Sequence, residues 1–175
     1  PVGIDSQKNI KNLINKESEN NNECLIYFKG RSESDLTYVL NYLNETKIKY
    51  KVFRNGKYKN SELIDYANKS NYGIIIGRTE SQGIAINEMM SVNLPLLVFD
   101  STNNYYEGEI FEGTTVPYWN EICGMKILKL NYIDRYFNKF TQNVIDGEYQ
   151  PYKFVLDNLS FEVMHMNLKK IFEDF

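Results

Sequence analysis

The residues best suited to do chemistry lie between Arg78 and Glu88, in the run Arg-Thr-Glu-Ser-Gln-Gly-Ile-Ala-Ile-Asn-Glu. A polar loop from Arg78 to Gly83 feeds an otherwise apolar segment whose spacing predicts a helix over 81–93. The free amides of a helix N-terminus, with the helix dipole behind them, form an anion site. Gly83 lets a ligand approach the backbone closely, so the amides of Ser81, Gln82 and Gly83 suit a phosphate. Glu80 sits in the loop, and Glu88 lies two turns into the helix among Ile84, Ile86, Met89 and Met90. A carboxylate on an apolar helix is costly to desolvate unless something hydrogen-bonds it, and ribose or sugar hydroxyls would do so. Arg78 offers a charge-assisted phosphate contact. Tyr58, just past the Asn55-Gly56 turn, offers a ring on which a nucleobase could stack.

Each of these residues also has a plainer reading. Glu80 and Glu88 could be solvated carboxylates with a basic neighbour, Arg31 and Arg78 surface arginines, and Tyr58 a packed ring. Alternation along its strand could point Lys29 away from the edge.

These side chains need a scaffold, and the rest of the chain supplies its outline. Cys24 to Gly30 is a short apolar run stopped by glycine and reads as a buried strand; Lys49 to Gly56 and Tyr72 to Gly77 read as two more, and Leu94 to Asp100 as a fourth. Helices are predicted between them, from Ser32 through the Leu36, Val39, Leu40, Leu43 stripe and over 60–70, with Leu63, Ile64 and Ala67 on the inner face. Beyond Asp100 the pattern loosens. Thr114 to Pro117 and Met125 to Leu130 are candidate strands, Glu107 to Gly113 a solvated acidic loop, Ile133 to Val144 a helix and 160–172 a last helix carrying Phe161, Met164, Leu168 and Phe172. Strands alternating with helices imply βαβ units, and so a doubly wound, Rossmann-like parallel sheet of the α/β class. Ligands of such sheets sit outside the carboxyl ends of the strands, where the loops after Gly30, Gly56 and Gly77 would meet. Residues 1–22, polar and aperiodic, read as an interdomain linker, and 23–175 as one domain.

Composition narrows the function. The 175 residues carry a net charge of -3, without a basic face to attract nucleic acid. No apolar run approaches the ~20 residues of a membrane span, and no signal peptide opens the chain, so a cytoplasmic location is expected, the host cytoplasm if the source is viral. The two cysteines, Cys24 and Cys123, have neither disulfide-framework nor zinc spacing. His165, the single histidine, stands in the last helix without a nucleophile pattern beside it.

The pattern Glu80-Ser81-x-Gly83-x-Ala85-x-x-Glu88, followed by a strand that begins at Pro95, resembles the signature of retaining GT-B glycosyltransferases, which carry two glutamates with seven residues between them in their C-terminal, donor-binding domain. The resemblance implies the C-terminal half of a GT-B fold. It implies that Glu80 is the catalytic-site glutamate facing the donor sugar, that the amides of Ser81, Gln82 and Gly83 hold the diphosphate, and that Glu88 accepts from the ribose hydroxyls. Tyr27 to Arg31 is similar to the strand-end basic motif of that family, whose arginine touches the donor phosphates, and the opening Pro1 to Asp5 resembles its interdomain hinge. Thr114 to Gly124 and Tyr149 to Ser160 are similar to segments of glycosyltransferase-like proteins of large DNA viruses. The implied activity is transfer of a sugar from a nucleoside-diphosphate sugar to an acceptor glycan, with retention and with neither metal nor cofactor. The acceptor would be held by a separate N-terminal domain, so this chain alone would bind without transferring. The family's lysine a few residues past the arginine is absent from Ser32 to Leu36, and Met89 and Leu94 stand where Ala and Gly are usual. Two other readings remain open: a non-catalytic α/β module binding a nucleotide or a partner, and a sugar-nucleotide epimerase of GT-B type.

Overall fold

The structure, a computed structural model, describes residues 3–5 and 23–173. A five-stranded parallel sheet forms its centre. In chain order the elements are β1 (Glu23–Lys29), α1 (Glu33–Glu45), β2 (Lys49–Arg54), α2 (Asn60–Lys69), β3 (Tyr72–Gly77), α3 (Ile84–Ser91), β4 (Leu96–Phe99), a hairpin of β5 (Asn103–Tyr106) and β6 (Glu109–Glu112), β7 (Gly124–Ile127), α4 (Ile133–Ile145), α5 (Pro151–Leu159) and α6 (Phe161–Glu173). The strand order is β2-β1-β3-β4-β7. The protein is thus an α/β domain with a doubly wound, Rossmann-like sheet.

Alternation along the strands builds the two halves of the core. Leu25, Tyr27, Ile75, Leu96 and Val98 face α2, α3 and α5, whereas Cys24, Ile26, Ile74, Ile76, Leu97 and Phe99 face α1 and α4. Each helix answers with a stripe at three-to-four spacing, Leu36, Val39 and Leu43 on α1, and Ile133, Phe137 and Phe140 on α4. β3 is buried at every position because it is covered on both faces. Gly73 permits that packing, since a Cβ there would lie 2.8 Å from Leu96 Cδ2.

The crossover from β1 to β2 runs to one side and the return from β2 to β3 to the other, so the winding reverses between β1 and β3. This topological switch point is where the carboxyl ends of two neighbouring strands diverge and leave a crevice.

The irregular half of the chain departs from its sequence reading. Thr114 to Pro117 is not a strand: Thr115 and Val116 are buried and the segment runs as a loop across the carboxyl end of the sheet. The Met125 to Leu130 candidate shortens to β7. The acidic stretch Glu107 to Gly113 contributes to a hairpin, closed by Glu107 and Gly108 at φ 50 and 87, the two left-handed positions that match the twist of a tight hairpin. α5 lies in a stretch with no element assigned from sequence; Pro151 opens it, and Phe154, Val155 and Leu159 are buried against α3 and the sheet. Ile4, 5% exposed, bridges to Ser160 at the α5–α6 junction. The polar stretch 6–22, read as part of a linker, lies outside the described residues. Among the described residues no helix is long and apolar enough to cross a membrane.

Candidate functional site

A cleft of about 510 Å³ opens at the switch point, within the roughly 300–1,000 Å³ of common ligand sites. Three chain segments make it. β1 delivers Tyr27 and Lys29, two residues apart and therefore on one face. The turn after β2 delivers Asn55, Gly56 and Tyr58, and the loop after β3 delivers Glu80 through Gly83 at the head of α3. The aromatic wall is rigid: Tyr58 packs edge-on against Tyr27 and Phe53, with centroids 6.1 and 5.7 Å apart, and the Tyr27 hydroxyl donates to Asn55 Oδ1 at 3.0 Å. Burial, with the neighbouring Tyr58 and the Glu80 and Glu88 carboxylates adding to it, pushes the Tyr27 phenol above its usual pKa, so it acts as a neutral hydroxyl.

The facing wall is built from the loop and α3. Gly83 caps the helix at φ 61 and ψ 39, left-handed backbone that disfavours any residue with a Cβ. Asn87, 4% exposed, donates its side-chain amide to the Gln82 carbonyl at 3.1 Å, and the Glu80 amide bonds Thr114 O at 2.9 Å. The loop is thereby tied to its own helix on one side and to the Thr114 strap on the other. Glu80 and Lys29 meet across the cleft floor, with Nζ 2.8 Å from both carboxylate oxygens. Glu88 accepts from the Asn60 side-chain amide at 3.0 Å, which links α3 to the first residue of α2.

Lys29, Tyr58, Glu80, Ser81, Gln82, Gly83 and Glu88, all singled out in the sequence, therefore share one cleft. Arg31 and Arg78 do not. They line a separate, smaller depression of about 370 Å³ beside the start of α1. The Arg31 guanidinium points into the sheet end: Nε donates to Gly77 O at 2.7 Å, and Nη2 to Phe99 O and Asp100 O at 3.0 and 3.1 Å. Burial lowers its pKa from the usual value, against the pull of Asp35. Its work here is to satisfy the terminal carbonyls of β3 and β4. Arg78 is exposed, its aliphatic stem lying over Gly30.

Sequence reasoning did not find the residues that brace the cleft. Asn60 carries no motif, Tyr27 was noted only as the first residue of the strand-end motif, and Asn55 only as a turn former. Asp100 is the most consequential of them. It is 5% exposed, and its Oδ1 accepts from the Ser101 and Thr115 amides and the Thr114 hydroxyl at 2.8 to 2.9 Å, while Oδ2 pairs with Lys126 at 3.1 Å. Burial opposes its ionisation, but these donors outweigh burial and hold its pKa below the ordinary carboxylate value. Through Thr114 this clasp reaches the Glu80 amide. The only signal for it in the sequence is an aspartate ending an apolar strand.

Among the described residues no group of three or more His, Cys, Asp or Glu could hold a metal ion. Cys24 and Cys123 are buried free thiols, and burial pushes Cys123 up to about 11, so it stays protonated at neutral pH. The chain matches no protein-family model, no curated protein and no solved structure.

Proposed function

We propose that the switch-point cleft binds a nucleoside-diphosphate sugar, and that this chain is the donor-binding domain of a retaining, metal-independent glycosyltransferase acting on an acceptor glycan. The observation that carries the reading is the single cleft in which Glu80, the loop leading to Gly83, and Glu88 succeed one another along one wall, opposite Tyr58. Glu88 lies five residue steps beyond Gly83, about 7.5 Å of axial rise, a spacing that suits a diphosphate at the helix head and a ribose beside the second turn. Glu88, supported by Asn60, presents acceptors to vicinal hydroxyls. Glu80 is the acceptor nearest the place where a sugar beyond the diphosphate would lie. In the chemistry this reading implies, helix-terminal amides stabilise the departing diphosphate, as a divalent cation does in other transferases.

A non-catalytic α/β module that binds a nucleotide or a partner protein is the second reading, and one observation favours it. Arg31 is committed to main-chain carbonyls and Lys29 to Glu80, which leaves the loop amides as the principal donors to an anion. Calorimetric titration with nucleoside diphosphates and their sugar conjugates separates the two. A sugar that adds at least about tenfold in affinity, roughly one charge-assisted hydrogen bond, supports the donor site. Equal affinity for diphosphate and conjugate favours the module, and no binding of either sinks the donor site.

A further inference from the structure

We infer that Lys29 and Glu80 form an exchangeable pair, in which a bound diphosphate takes Lys29 from Glu80 and so releases the Glu80 carboxylate to the rest of the ligand. The inference rests on the donor-site reading. Its physical basis is the charge inventory of the cleft. Among the described residues that line the cleft, Lys29 is the one basic side chain, set against the two carboxylates of Glu80 and Glu88. As it stands, the lysine is held by both oxygens of Glu80, so the carboxylate that would orient a sugar and the cation that would meet a phosphate cancel one another.

The geometry permits the exchange. Glu80 is 11% exposed and its backbone is fixed by the Thr114 carbonyl, whereas the Lys29 side chain is 37% exposed on a flexible four-carbon stem. The lysine is the partner that moves. It stands at the end of β1, across the floor from the amide-rich head of α3. A phosphate docked on those amides would compete with Glu80 for the ammonium, and a doubly charged acceptor beside helix-terminal amides is the stronger partner. Sugar binding and phosphate binding are then coupled through one proton-rich group: a ligand lacking phosphate finds Glu80 already occupied, and only a ligand carrying phosphate unlocks it.

The test is a binding cycle in the folded chain, with the 5′-diphosphates of uridine, guanosine and adenosine and the corresponding nucleosides as probes. Glu80→Gln frees Lys29 and is expected to tighten diphosphate binding about tenfold, the worth of one charge-assisted hydrogen bond, while leaving nucleoside binding unchanged. In a Lys29→Met background the same substitution is expected to give little gain. Lys29→Gln, which can still donate to Glu80, serves as the background if Lys29→Met does not fold. Unchanged or weaker diphosphate binding by Glu80→Gln overturns the exchange. So does an equal gain in the lysine-free background, because that would be simple removal of a negative charge. Either result leaves the donor-site reading standing if the wild type binds diphosphate, whereas absence of binding by every variant removes both.

Discussion

Arg31 and Asp100 carry the same lesson at the scale of single residues: a charged side chain at the carboxyl end of a parallel sheet can brace the site without lining it. Arg31 makes three hydrogen bonds to carbonyls of two strands, a fork that lysine cannot reproduce. Arg31→Lys is therefore expected to lower stability by about 2 kcal/mol in urea denaturation, since it strands buried carbonyl groups, with little change in nucleotide affinity. A fall in affinity in a fully folded variant would return Arg31 to the phosphate contact that its sequence context suggests. Asp100 makes a pH-dependent prediction. Its folded pKa lies below its usual value, so its contribution to stability is fully present above the ordinary aspartate pKa, about 3.9, and is lost as pH falls through the lower, folded value. The difference in melting temperature between wild type and Asp100→Asn should be largest near neutral pH and shrink as pH falls below about 4. A difference independent of pH would mean that the Thr114 and Thr115 donors do not select the charged form.

At the scale of elements, legibility follows periodicity. β1, β2, β3 and β4, with α1, α2 and α3 between them, were readable because apolar runs and three-to-four stripes alternate cleanly, and the glycines after the first three strands located the crevice. The ends themselves moved: α3 begins at Ile84 because Gly83 takes left-handed backbone, where apolar spacing alone extended the helix to Ser81. Gly83→Ala should cost about 1 kcal/mol, the penalty for that conformation with a Cβ. It should also weaken nucleotide binding by displacing the amides, as paired denaturation and titration would show; unaltered values for both would mean that the cap does not shape the site. β7 and the hairpin were poorly legible because neither rests on hydrophobic patterning. β7 is four residues long at a sheet edge, and the hairpin is closed by Glu-Gly where Asn-Gly or Asp-Gly is the usual mark. Within the site, the residues of the loop and α3 were legible from one local motif. Lys29–Glu80 and Asn60–Glu88 were not, because pairs separated by 51 and 28 positions leave no local trace.

At the scale of the whole molecule, the fold places its chemistry at one end of the sheet and leaves an apolar helix at the end of the described chain. α6 has no buried residue, and Phe161, Leu168, Ile171 and Phe172, which helical spacing places on one side, are all exposed, an apolar stripe of the kind that drives association. The chain is expected to self-associate with rising concentration in analytical ultracentrifugation, and Leu168→Lys with Ile171→Lys to abolish this without lowering the melting temperature; a strictly monomeric wild type would refute the expectation. The central claim concerns the cleft that β1, the turn after β2 and the head of α3 define. It is tested most directly by isothermal titration of wild type and Glu88→Gln with nucleoside diphosphates, after both are shown to be folded. If Glu88 accepts from ribose hydroxyls, loss of its charge weakens binding at least about tenfold. Equal affinity in the two proteins, or no binding to the wild type, would contradict the donor-site account.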